Sequence, residues 1–183
     1  GGILCTFWAN WYKKQVMTVQ YGLGKRGCVN PNTGELASGS ETLSDEELAK
    51  NRTDLGAAIK AHPMDDQYHI DRSPIWSKIT VPLLSSANWG GQGLHPRGNF
   101  EGFVRSASKQ KWLEVHGIEH WTEFYTRYGV TLQKRFFDRF LKGLDNDWKK
   151  QSKVQLQVRK IDGFVQRGER EWPLARTRWT KLY

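Results

Sequence analysis

One stretch constrains this chain more than any other: residues 79–121, ITVPLLSSANWGGQGLHPRGNFEGFVRSASKQKWLEVHGIEHW. Two short apolar runs, Thr80–Ala87 and Lys111–Val115, each lead into a small or polar loop. Arg97–Ser108, between them, can form one helix with Phe100, Phe103, Val104 and Ala107 on one face. Pro82 stands near the start of the first run, where a strand tolerates it. The order is strand, loop, helix, strand, loop, and such units pair in parallel into an α/β sheet. Ligands of open α/β sheets sit outside the carboxyl ends of the strands. The loops Asn88–His95 and His116–Trp121 are therefore expected on one edge of one sheet.

The flanking segments extend this pattern. Residues 3–21 lack breakers, and Phe7, Trp11 and Tyr12 can share a helical face. Gly22–Gly27 fits GxGxxG, but the loop-like CVNPNTGELASGS follows it where a phosphate-binding turn needs a helix. Those glycines read as the end of a helix and the start of a loop. Ser44 and Glu47 form a capping-box pattern opening a helix that Pro63 ends. Asp65, Asp66, His69 and Asp71 match no metal-ligand spacing and read as surface charge. Phe124, Tyr128, Leu132, Phe136 and Phe140 mark a helix over Thr122–Leu141, with Gly143 as its stop. From Val154 the period becomes two: Val154, Leu156 and Val158 alternate with Gln155, Gln157 and Arg159, as in a half-buried strand.

Charge and cysteines narrow the partners. The net charge of +9 is spread out, and Glu169 and Glu171 interrupt the basic and aromatic run Arg167–Arg178, so no nucleic-acid partner is expected. No apolar run approaches the roughly 18–20 residues of a membrane span. Cys5 and Cys28 have no metal or redox spacing and read as free thiols in a reducing, cytoplasmic compartment rather than a secreted one. The chain opens on Gly1-Gly2-Ile3 and closes on Trp179-Thr180-Lys181-Leu182-Tyr183, which together read as a piece of a longer protein.

Taken together, Asn88-Trp89-Gly90-Gly91 after one strand, Gly117-Ile118-Glu119-His120 after the next, and Glu171-Trp172-Pro173-Leu174 in a β segment resemble the C-terminal part of CocE/NonD-type α/β hydrolases. That group comprises cocaine-esterase-like acyl hydrolases and X-Pro dipeptidyl-peptidases. The resemblance implies a partial α/β-hydrolase fold with a helical cap over residues 1–72, the last βα units over 73–148, and the start of a β jelly-roll domain over 149–183. It implies a serine hydrolase of ester or amide bonds, acting on a small ester or peptide, with neither cofactor nor metal. Such an enzyme needs a serine, a histidine that takes its proton and an acid that orients the histidine. The family's histidine position falls on His120, with His116 at the strand end as the rival. The family's acid position falls on Gly91, which has no side chain to orient an imidazole. Glu101 or Glu119 could supply the acid, Asn88 or Gln92 could orient the ring without charge, or the triad is incomplete. No G-x-S-x-G occurs, and Ser85 and Ser86 lie inside the strand run, so the nucleophile is expected upstream of Gly1 and this piece alone is expected to be inactive. Phe7, Trp8, Trp11 and Trp89 are the aromatics that the resemblance implies for the acyl pocket. Three functions follow: a serine hydrolase of esterase or dipeptidyl-peptidase type, a hydrolase-fold binding protein with a degenerate triad, or a basic nucleic-acid binder.

Overall fold

The computed structural model describes residues 7–90 and 95–183. Cys5, Gly91 and Gln92 lie outside the described residues. The described residues fall into two compact units, one ending at Ser73 and one beginning at Pro74.

The first unit is helical and loop-rich. It opens with α1 (Phe7–Trp11), a π-helical stretch over Tyr12–Val16 and α2 (Met17–Val19). Gly22 and Gly24 hold positive φ, with Leu43 and Thr42 filling the space a side chain would take, so the GxGxxG pattern is a tight loop. The segment after Ser44, expected as one helix, is two: α3 (Asp45–Lys50) and α4 (Leu55–Ala61). The Ser44–Glu47 capping box forms on α3, and Asp54 restarts the helix by accepting from the Ala57 N–H. α5 (Gln67–Ile70) begins at Asp66, whose carboxylate also pairs with His62 Nδ1 at 2.7 Å. That contact holds the Asp66 carboxyl below its ordinary range.

The second unit carries the sheet. Its elements are β1 (Leu83–Asn88), α6 (Pro96–Arg105), β2 (Lys111–His116), α7 (His120–Tyr125), α8 (Arg127–Phe140), a 3-10 turn over Asp147–Lys150, β3 (Val154–Lys160) and β4 (Gly163–Glu169). Among the described residues the sheet has four strands in the order β1-β2-β3-β4. β1 and β2 are parallel, β2 and β3 are parallel, and β3 and β4 form an antiparallel hairpin. The residues after 149, expected to open a separate β domain, thus begin by extending the α/β sheet. Backbone pairing at Leu113↔Val154 and Val115↔Leu156 makes that junction.

Alternation along β2 sorts the core. Leu113 and Val115 point to one face and pack with Ala87, Phe103 of α6, Val154 and Leu156. Trp112 points to the other, where Leu132, Phe136 and Trp148 enclose it. The helix expected over Thr122–Leu141 breaks at Thr126, which has ψ 160° and accepts the Gly129 N–H on its hydroxyl. Gly129 suits the break, because a Cβ there would collide with the Glu123 carbonyl oxygen. Among the described residues no helix is long and apolar enough to cross a membrane.

Candidate active site

The carboxyl ends of β1 and β2 meet through backbone. The Trp89 N–H donates to the His116 carbonyl at 2.8 Å. Asn88 Nδ2 donates to the Ile118 carbonyl at 3.4 Å. A side chain at Gly90 would stand 3.2 Å from the carbonyl oxygens of Gly117 and Ile118, so only glycine lets the loops lie this close without displacement. The expectation that both loops share one sheet edge holds through Gly90.

His120 is the first residue of α7, just past the β2 loop. Its ring meets His95 edge-on at 4.9 Å and Trp121 at 4.6 Å between centroids. His95 precedes α6, and with Ser86, Asn88 and Asn99 the two histidines line an open cleft above the strand ends. The place of His95 in the loop after β1 is the one sequence signal that points to it. The candidate carboxylates are engaged elsewhere, whereas Asn88 has only its amide N–H engaged and its Oδ1 is buried without a partner among the described residues. Glu101 faces Arg105 at 3.7 Å, Glu119 accepts from Thr122 at 3.2 Å, and Asn88 reaches Ile118. Among the described residues no carboxylate hydrogen-bonds the His120 ring. Gly91 and Gln92, the other two positions considered, lie outside the described residues.

His116, the rival base, has a different setting. Its side chain is 4 % exposed, and its Nδ1 lies 3.0 Å from Oε2 of Glu114, itself 3 % exposed. Ser86 donates its hydroxyl to the same oxygen at 2.5 Å. The cluster follows from register, since Ser86 pairs with Glu114 and the β2 alternation puts Glu114 and His116 on one face. His116 Nε2 and Glu114 Oε1 are buried without a partner. Both residues line a cavity of about 220 Å³, together with the polar Ser86, His120 and Glu123 and the apolar Leu132 and Phe136. Tyr128, also on the cavity, donates to Gln155 at 2.8 Å. Burial first, then the charges of Glu114 and Glu123, push its hydroxyl well above the ordinary phenol range, so it remains a donor.

The other singled-out residues make contacts within their own units. Ser85 donates to the Asn99 carbonyl at 2.9 Å, joining β1 to α6. Phe7 stacks on Trp11 and meets Trp8 edge-on within the first unit. Trp89 packs on Phe100, which in turn packs on Trp172. Glu169 holds Arg167 and Arg176, so the basic run is partly neutralised by its own carboxylate. Among the described residues no three metal-ligating side chains come together.

No family model and no curated protein matches the sequence. Solved structures do. The chain is similar to a CocE/NonD family hydrolase from Staphylococcus aureus, at 40 % identity and TM-score 0.66 over 70 % of this chain. A second crystal structure of the same hydrolase, at 1.95 Å, matches at 39 % identity and TM-score 0.65 over 71 %. The chain spans 23 % and 24 % of those two chains. The resemblance to CocE/NonD-type hydrolases read from the sequence is thus met by both structures of this hydrolase.

Proposed function

We propose, starting from a segment of CocE/NonD hydrolase type, that this chain supplies the base of a serine hydrolase cleaving ester or amide bonds, with His120 as that base. The observation that carries the reading is the place of His120, at the head of α7 beyond the carboxyl end of β2, on the edge where the β1 and β2 loops meet. In acyl transfer the imidazole takes the proton of the attacking serine hydroxyl and returns it to the leaving alkoxide or amine. The serine and its oxyanion hole belong to sequence outside this chain, which carries no G-x-S-x-G. His116 has a carboxylate on Nδ1, as a triad histidine would, but it is the poorer base because its Nε2 is buried. We favour an ester or broad acyl substrate over an X-Pro peptide, because a dipeptidyl-peptidase needs carboxylates for the substrate's free amine, and the carboxylates on the cavity beside His120, Glu114 and Glu123, are already engaged by Ser86, His116 and Gln157. The segment after 149 serves, on this reading, as the approach to a jelly-roll domain, and residues 1–72 as the cap.

The test uses the full-length protein with a fluorophosphonate probe. Serine labelling is expected, and His120→Ala is expected to abolish it and to lower ester kcat by about 10³-fold or more. Labelling unchanged in His120→Ala removes the reading. A second reading is a non-catalytic protein of hydrolase fold, favoured by the absence among the described residues of a carboxylate on the His120 ring. Wild-type protein that takes no label and turns over no ester supports it.

A further inference from the structure

Gln157 joins three pieces of the second unit. Its Oε1 accepts from the Gly117 N–H at 2.8 Å. Its Nε2 donates to Glu123 Oε1 at 3.3 Å. Its backbone carbonyl accepts from the Trp89 indole N–H at 2.9 Å. Gly117 opens the loop after β2, and Glu123 lies in α7, one helical turn beyond His120. One carboxamide therefore ties the two ends of the segment that carries His120, while its backbone holds the loop after β1. β3 delivers it there, because the β2–β3 pairing ends at Val115↔Leu156 and Gln157 is the next residue. Glu123 is 8 % exposed, so its carboxylate depends on the protein for partners. From β4, the Phe164 ring fills the space a Cβ at Gly117 would need and closes the loop from above.

The chemistry demands an amide of this length. Toward Gly117 the group must accept, and toward Glu123 it must donate. Glutamate would accept from Gly117 but set two carboxylates together, methionine would do neither, and asparagine falls one methylene short.

We propose that Gln157 is a positioning residue for His120, holding the β2 loop and the first turn of α7 so that the imidazole stands where a proton can be passed. The proposal rests on the reading of His120 as the base. Misplacing a reacting group by about 1 Å costs on the order of 10²-fold in rate, and nothing in Gln157 touches the reacting atoms themselves.

The test is kinetic and uses the full-length protein, a p-nitrophenyl ester of a short acid, and hydrogen exchange of the amides in residues 117–123. Gln157→Glu is expected to lower kcat by about tenfold or more while KM moves less than about threefold. Exchange across 117–123 is expected to quicken by about tenfold with the melting temperature of the whole protein little changed. Gln157→Glu combined with Glu123→Gln reverses the polarity of the pair and is expected to restore kcat to within about threefold. Gln157→Met, which adds no like charge, is expected to lose kcat like the single Glu variant and guards against misfolding of the latter. Full kcat in both single variants overturns the proposal, as does a double variant no better than Gln157→Glu. His120→Ala run alongside separates the two failures. An inactive His120→Ala with native Gln157 variants sinks the positioning role alone, whereas a fully active His120→Ala sinks both.

Discussion

Glu114 shows how much one buried carboxylate can organise. It receives the hydroxyl of the more exposed Ser86 from β1 and faces His116 on its own strand, and both Glu114 and His116 are nearly removed from water. Truncating it strands the buried His116 ring in a poorly solvated place, and Glu114→Ala is expected to destabilise the protein by about 3–5 kcal/mol. Glu114→Gln, which keeps a hydrogen-bonding group of the same shape, is expected to cost about 1–3 kcal/mol. Urea unfolding of the two variants decides this, and equal costs would mean that charge has no part in the cluster. The sequence already implied that Glu114 and His116 share a strand face, because they are two residues apart in an apolar run. It could not show Ser86 beneath them, since register between strands is set by pairing and not by either strand alone. The position of His120 just beyond β2 was legible from the strand pattern, and its assignment as the base comes from the family resemblance alone. Its neighbour His95 was not, because ring-to-ring contact between two loops leaves no local periodicity.

Helices α7 and α8 mark the limit of pattern reading at the next scale up. The stripe Phe124, Tyr128, Leu132, Phe136 keeps its spacing of four across Thr126, so hydrophobic periodicity runs through a break that the backbone makes. Only the local chemistry signals it: a threonine three residues before a glycine, with its hydroxyl on that glycine's N–H at 3.1 Å. Thr126→Ala removes the cap and is expected to cost about 1 kcal/mol, read as a lower melting temperature, with Thr126→Ser recovering most of it. A melting temperature unchanged in the alanine variant would show that the break needs no cap. The same lesson applies at Asp54, where an acidic residue restarts a helix inside one apolar repeat. The Ser44–Glu47 box, by contrast, could be read directly, because both partners lie within four residues of each other.

At the scale of the sheet, the parallel order of β1 and β2 was readable from strand–helix–strand alternation, and the attachment of β3 was not. A period of two says that a segment is a half-buried strand and is silent about its neighbour. The chain adds β3 to β2 in parallel and then folds β4 back on it, so the aliphatic cluster under α6 and the aromatic cluster under α8 share one sheet but no side chains. Phe103→Leu and Phe136→Leu, one in each cluster, are therefore expected to destabilise by about 0.5–3 kcal/mol each and to add within about 0.5 kcal/mol when combined. A larger coupling in chemical denaturation would mean that the sheet transmits strain between its faces. The close approach of Gly90 to the Gly117 and Ile118 carbonyls has a mechanical sequel. Backbone against backbone leaves no rotamer to absorb a push, so the turn after β1 and the turn after β2 behave as a single plate. Whatever leans on the Trp89–Gly90 turn is passed to the Gly117–Ile118 turn by backbone packing as well as by the Trp89–His116 hydrogen bond.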